Sequence, residues 1–315
     1  MTTYVVTGGA GFIGSHIAER LLKEGHTVRI VDNLSTGKRS NLDALQGLGN
    51  LEFHHVSITD KAALDPVFKG AEIVFHQAAL PSVPLSVANP LATHEHCVTG
   101  TVNVLVAARD AGVRRVVYAA SSSAYGDADS DSNVETMVPH PISPYGVAKL
   151  AGEYYCQAFA AVYPLETVCL RYFNVFGSRQ DPTSQYAAVI PIFITAMLKG
   201  KSPTIFGDGQ QSRDFTYIDN VVHGNILASQ APGVSGQVMN LATGGSVSLL
   251  DLVNKLNVIL KTSIAAQHAD PRPGDIKFSR ANIDKARELL DFSPIVDFDE
   301  GLRRTAAWYL NQKSN

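Results

Sequence analysis

An α/β fold, a doubly wound parallel sheet with a smaller C-terminal lobe, is what three features of this 315-residue sequence predict. Short apolar, β-branched runs recur ahead of helix-like periodicity, at Tyr4–Thr7, Thr27–Val31, Ile73–His76, Val116–Ala120 and Val168–Tyr172. The first run leads directly into glycines at three-residue spacing, Gly8, Gly11 and Gly14, and the second ends on a carboxylate, Asp32. Strands separated by helix-length segments need crossover connections, and those connections produce parallel sheets covered on both faces.

Each element has its own justification. Ile13, Ile17, Leu21 and Leu22 continue from the glycines with helical spacing. A glycine turn entering a helix lets backbone amides approach a pyrophosphate at the positive helix end. Asp32, closing the second strand, stands where ribose hydroxyls would be bound. Strand, glycines, helix and acid in register predict a dinucleotide site. "SITD" (57–60) and "HQAAL" (76–80) end the next units, and the small Ala78 and Ala79 allow close backbone approach. The strand Val116–Ala120 runs into Ser121, Ser122 and Ser123, at the strand ends where open parallel sheets bind ligands.

"SPYGVAKL" (143–150) places Tyr145 and Lys149 one helical turn apart on one face. A cation beside a phenol favours phenolate, which makes a general base near neutral pH. Spacing alone does not decide, because Tyr309 and Lys313 repeat it in the tail, where they read as surface decoration. Helices are expected around 93–111 and 146–162, and "GQVMNLATG" (236–244) reads as a strand returning to the sheet.

Hydrophobic content of 45% and charged content of 17% suit a globular chain, and a net charge of −3 with no basic run argues against a nucleic-acid partner. No apolar stretch is long enough to span a membrane. Structure-like sequence from Tyr4 leaves no room for a signal peptide, so a cytoplasmic protein is expected. Cys97, Cys156 and Cys169 lack metal-ligand spacing, predict no metal site, and suit a reducing compartment.

"TGGAGFIG", with its Gly-x-x-Gly-x-x-Gly spacing, resembles the extended short-chain dehydrogenase/reductases that act on nucleotide sugars. The resemblance covers essentially the whole chain. It implies a Rossmann-type NAD-binding domain over 1–172, rejoined by the strand near 236–244, and a UDP-sugar-binding lobe over 173–315. Cofactor contacts are then expected from Gly8, Gly11, Phe12, Ile13 and Gly14, and from Asp32, Asn33, Leu34, Ser35, Thr36 and Gly37 around the adenosine ribose. Ser57 and Ile58 fall on the adenine side, and Gln77, Ala78 and Ala79 beside the dinucleotide. Tyr145, Lys149, Phe173 and Val175 fall at the nicotinamide end. Asp32 favours NAD over NADP, although Lys38 and Arg39 lie close by. Ser57 replaces an acid and Cys97 a commoner asparagine, which removes one amide contact to the cofactor.

On the substrate side the resemblance implies Ser82, Ser121, Ser122, Ser123, Tyr145, Asn174, Ala188, Val189, Phe206, Arg213, Arg272, Asp275 and Ser279. Tyr145 matches the family's catalytic base and Ser121 its hydroxyl partner, with Lys149 lowering the phenol's pKa. Ser122 and Ser123 stand where dehydrating relatives carry an acid/base pair, so one hydride and one proton are what the site can move. The implied activity is UDP-sugar 4-epimerisation, in which C4 is oxidised and then reduced on its other face. Ser279 replaces a bulkier tyrosine, which points to N-acetylhexosamines entering alongside plain hexoses. A homodimer through the helices around 93–111 and 146–162 is implied as well. The alternatives are a nucleotide-sugar oxidoreductase with exchangeable NAD, a UDP-glucuronate 4-epimerase, and a non-catalytic dinucleotide sensor.

Overall fold

The computed structural model describes residues 1–127, 132–182, 188–271 and 278–313. Its centre is a seven-stranded, all-parallel sheet. Six strands are labelled in chain order: β1 (Thr3–Thr7), β2 (Thr27–Val31), β3 (Asn50–His54), β4 (Ile73–His76), β5 (Arg115–Ser121) and β6 (Glu166–Tyr172). The seventh, Gln237–Leu241, pairs with β6 (Gln237↔Val168 through Leu241↔Tyr172) and returns the chain to the sheet from the C-terminal region. The spatial order runs from the seventh strand through β6, β5, β4 and β1 to β2 and β3. The direction of winding reverses between β1 and β4, and a crevice for a ligand opens at such a reversal.

Alternation along each strand explains why the runs are apolar throughout. Val6, Ile30, Phe75, Val117 and Val168 enter one core, while Val5, Val31, Val74, Val116 and Cys169 enter another on the opposite face. The first core continues without interruption into the C-terminal region, through Phe176, Ile190, Phe193, Ile218, Leu252 and Leu302. The sheet and the lobe therefore share apolar packing.

Two local features differ from the sequence reading. The helix expected over 93–111 is three pieces: Pro90–His94, a π-helical turn Glu95–Thr99, and Gly100–Asp110. The π turn centres on buried Cys97, whose carbonyl accepts from the Thr101 hydroxyl at 2.8 Å. Such insertions cluster at functional sites. Tyr309 is not surface decoration: it is 7% exposed, packs in the main core, and its hydroxyl donates to the Gln180 carbonyl. It lies on the helix Phe298–Lys313 with its ring turned into the core.

Candidate active site

The glycine turn is built to bring backbone close to whatever occupies the crevice. Gly8 has φ +68, a left-handed conformation that glycine adopts at no steric cost, and a Cβ there would stand 2.7 Å from the Ala78 amide nitrogen. A Cβ on Gly14 would run into the Gly8 carbonyl. Gly11 caps the helix Phe12–Lys23, leaving first-turn amides without side-chain partners at its positive end, with Ile13 in that turn.

Asp32 is buried at the end of β2, where its two carboxylate oxygens accept from the Ala10 amide (3.0 Å) and the Leu34 amide (2.8 Å). Burial pushes its carboxyl up, and those two amides pull it back. Leu34 takes a left-handed φ of +57 so that its N–H can reach this carboxylate, and Gly37 lies so close that a Cβ would meet it. A concavity here is lined by Gly8, Asp32, Asn33, Ser35, Thr36, Ile58, Ala78 and Ala79, and by Val31, Val56 and His96 besides. The Ser57 hydroxyl bonds the Thr59 hydroxyl at 2.8 Å. Gln77 likewise commits its amide, at 3.1 Å, to the Tyr172 hydroxyl, which is also bonded to Asn225.

The catalytic candidates come from two elements that meet at the carboxyl end of β5. Ser143 caps the helix Pro144–Val162 by accepting from Gly146 N–H at 3.1 Å, and Pro144 occupies the first position. That start fixes Tyr145 and Lys149 on the side facing the serines. Ser121 Oγ accepts both from Ser123 N–H (3.2 Å) and from the Ser123 hydroxyl (2.8 Å). With its lone pairs filled, Ser121 has its single proton left to donate.

Electrostatics here depart from the expectation that Lys149 lowers Tyr145. Burial pushes Tyr145 well above an ordinary phenol, Cys97 adds to the rise, and the Ser121 hydroxyl is what lowers it. Lys149 is 3% exposed, burial pulls its own pKa down, and its ammonium lies 4.3 Å from the centroid of the Tyr118 ring. Tyr118 also donates to the Lys149 carbonyl at 3.3 Å, and Gly152 lets the helix close on it, since a Cβ there would strike the phenol. Tyr118 therefore seats Lys149. It carried no signal in the sequence beyond being one aromatic in an apolar strand.

Beneath the site His76 is 1% exposed and bridges two threonines, Nδ1 to Thr7 Oγ1 (2.7 Å) and Nε2 to Thr101 Oγ1 (3.0 Å). The Thr101 proton is already given to the Cys97 carbonyl, so His76 donates from Nε2 and accepts at Nδ1. Cys97 Sγ accepts from the Leu80 amide at 3.4 Å, which places this thiol against the "QAAL" loop.

The remaining candidates are distributed as follows. Ser82 caps the helix Val83–Ala88 through its hydroxyl. Ser122 lies in the 3₁₀ turn Ser122–Ala124 with Ser123. Phe173 is fully buried and its ring packs near Tyr125, so only its backbone can meet a cofactor. Val175 is part-buried beside it in sequence, and Asn174 holds a left-handed φ of +33. Ala188 caps the helix Val189–Leu198, and Phe206 ends the strand Thr204–Phe206 with its carbonyl bonded by Gln211 at 2.6 Å. Arg213 and Ser279 pair directly in a small three-stranded sheet. Arg272 and Asp275 lie outside the described residues. Among those described, no group of three or more His, Cys, Asp or Glu is placed to hold a metal ion.

Residues 4–242 match the model of the NAD dependent epimerase/dehydratase family.
The chain belongs to this family.
Its relatives include the UDP-glucose 4-epimerase of Mycolicibacterium smegmatis, 38% identical over 311 residues, with 98% of each chain covered. Among solved structures it is similar to the UDP-N-acetylglucosamine 4-epimerase of Methanobrevibacter ruminantium M1 in complex with UDP-N-acetylmuramic acid (41% identity, TM-score 0.94, 99% of each chain). It is also similar to the UDP-glucuronic acid 4-epimerase of Bacillus cereus in complex with UDP-glucuronic acid and NAD (32% identity, TM-score 0.92, 99% of this chain and 100% of that one). The protein is thus a member of an NAD-dependent family of UDP-sugar epimerases.

For this epimerase-family protein the structure also answers the question left by Lys38 and Arg39. Lys38 is paired with Asp181 at 2.8 Å, and the Arg39 guanidinium lies 5.7 Å from the Phe53 ring centroid. Both cations near the ribose site are engaged elsewhere, and Asp32 is left as the charge that faces it, as NAD requires. Sequence reasoning missed His96 and Asp214. His96 would have been found by noting that it precedes Cys97 in the segment expected to touch the cofactor. Asp214 hides next to Arg213 in "SRDF".

Proposed function

We propose that the protein inverts C4 of UDP-hexoses, taking UDP-N-acetylglucosamine and UDP-N-acetylgalactosamine as well as UDP-glucose and UDP-galactose. The observation that carries this is Ser121 at the strand end, its acceptor sites filled by Ser123, together with Tyr145 and Lys149 one turn apart at the start of the helix Pro144–Val162, with serines in place of a second acid/base pair. The crevice fits a dinucleotide: its glycines exclude any Cβ at the closest backbone approach, and Asp32 is held by two amides where a ribose would lie. When bound there, NAD supplies a reversible hydride acceptor for C4.

The residues supply the rest. Tyr145 takes the proton of the 4-hydroxyl as C4 is oxidised, and returns it to the same oxygen when C4 is reduced on its other face. Ser121 steadies the phenolate by donation, and Ser123 fills Ser121's acceptor sites so that its proton is aimed correctly. Lys149 adds positive charge within the same buried space and would hold the nicotinamide ribose. Arg213 binds the diphosphate by paired donors. Ser279, in register with Arg213, is the short wall that leaves room for a 2-acetamido group.

A second reading, UDP-glucuronate 4-epimerase, is favoured by the likeness to the Bacillus cereus enzyme. Incubation without added NAD, followed by NMR of the anomeric protons, separates the two. We expect interconversion of UDP-N-acetylglucosamine and UDP-glucose with their galacto partners, and none of UDP-glucuronate. Ser279→Tyr should lose the N-acetylated substrate at least ~10-fold more than UDP-glucose. Equal losses on both sugars would remove Ser279 as the determinant.

Exposed Val147, Tyr154, Tyr155 and Val162 on the helix Pro144–Val162, with Val87 and Leu91 nearby in the fold, support pairing with a second copy of the chain. Sedimentation at micromolar concentration reads that directly. We place the protein in the cytoplasm, a location that three free, buried cysteines suit.

A further inference from the structure

We propose that Asp214 is the positioning residue of the sugar-nucleotide side, a buried carboxylate that holds Asn174, Arg213 and Ser279 in their working arrangement without itself reaching the substrate. The inference rests on the epimerase reading, which assigns those three residues to the substrate.

Asp214 is fully buried. Its Oδ1 accepts from the Thr243 amide (3.0 Å) and the Thr243 hydroxyl (2.6 Å). Its Oδ2 accepts from the Gly244 amide (2.8 Å) and the Ala281 amide (3.3 Å). The main chain of the same residue is used as fully: its N–H donates to the Ser279 carbonyl (2.7 Å), and its carbonyl accepts from Asn174 Nδ2 (3.1 Å). One residue thereby joins the end of β6, the strand Ser212–Arg213, the turn after Gln237–Leu241, and the segment Ser279–Ala281.

The chemistry explains why this is a carboxylate. Four donors converge on two oxygens, and an amide in their place would aim its own N–H₂ at backbone donors that cannot accept. The arrangement also accounts for Asn174. A φ of +33 is unfavourable for a residue with a side chain, and it persists only where surrounding bonds impose it. Here the side-chain amide is tied to Asp214 and the carbonyl accepts from the Thr216 amide at 3.3 Å. Ser279 stands opposite Arg213 in the pairing that the Asp214–Ser279 bond extends by one residue. Tyr145, Lys149 and Ser121 sit on other elements, so Asp214 governs where the nucleotide sugar sits and leaves proton transfer alone.

The test compares wild type, Asp214→Asn and Thr243→Val as NAD-loaded proteins. Steady-state kinetics on UDP-N-acetylglucosamine and UDP-glucose are paired with calorimetric affinity for UDP alone. We expect KM and the UDP dissociation constant to rise at least ~10-fold in D214N and ~3-fold in T243V, with kcat at saturation within about twofold of wild type. A purely structural residue would instead lower the active fraction, and so kcat, at unchanged KM and UDP affinity; that result overturns the proposal. If D214N does not fold, T243V decides alone, and unchanged KM and UDP affinity in it overturn the inference. Wild type that binds UDP but converts no sugar would refute the epimerase reading while leaving the positioning role readable from UDP affinity. Wild type that binds no UDP refutes both.

Discussion

Around Gly8, Gly14 and Asp32 the frame of the ligand-facing surface comes from one short stretch of chain, with Ile58, Ala78, Ala79 and His96 closing it. Around Arg213 and Ser279 it is gathered from segments far apart in sequence and held by one buried carboxylate. The frame of the first region is local: β1, a turn, a helix and β2 position their own groups through Gly11 N–H to Gly8 C=O (3.0 Å) and Ala10 N–H to Asp32. The second has no geometry until the seventh strand has returned to β6 and brought Thr243 and Gly244 to Asp214. Dinucleotide sites of this build travel as a sequence motif, whereas sugar selectivity is a property of assembly. Substitutions in the two regions should therefore fail differently.

The sharpest break falls where the two regions meet. Tyr145→Phe keeps the ring and removes the proton carrier, so kcat should fall ~10²–10⁴-fold with KM little changed, as read by NMR conversion at saturating substrate. A residual rate within tenfold of wild type would remove Tyr145 as the base. Next in size is Gly14→Ala, which forces a methyl into the Gly8 carbonyl. Overpacking against backbone costs roughly 3 kcal/mol. NAD retained through purification should drop along with the denaturation midpoint, because turn and cofactor site are one structure. Full NAD content with lowered sugar affinity would contradict the division drawn between the two regions.

The effect confined to acid pH concerns stability beneath the cofactor strands. Burial first, and Lys149 second, hold His76 down to about 3. An unfolded histidine takes up its proton near pH 6.5, before the folded one does. Stability from this group is therefore complete above that pH and is lost as pH falls toward 3, by about 1.4 kcal/mol per pH unit. Urea midpoints of wild type and His76→Asn between pH 7 and 4.5 isolate that slope. Parallel slopes would show that His76 is not the titrating group.

The dinucleotide half was legible in the sequence because its signals are local. Glycine spacing, strand-end Asp32 and the Ser-Pro start of the catalytic helix each carry their own geometry within a few residues. Tyr145, Lys149 and Ser121 were noticed through a helical turn and a strand end, but only the family resemblance gave them roles. Where local spacing was the sole guide it misled: Tyr309 and Lys313 share that turn, and packing turned Tyr309 into the core. Lys149 was expected to lower Tyr145, but its ammonium rests on Tyr118, a residue placed there only by helix-on-sheet packing that Gly152 permits.

By itself, then, the sequence determined which strands are parallel and buried and where a glycine turn meets a helix end. These follow from periodicity and from φ/ψ limits that act over a few residues. Tertiary structure alone decided that burial raises the Tyr145 phenol, and that the Lys149 ammonium rests on the Tyr118 ring. It also decided that Lys38 and Arg39 are engaged away from the ribose, and that Asp214 organises the sugar side. Each of these depends on hydrogen bonds or charges between residues distant in the chain, and such partners have no spacing to read.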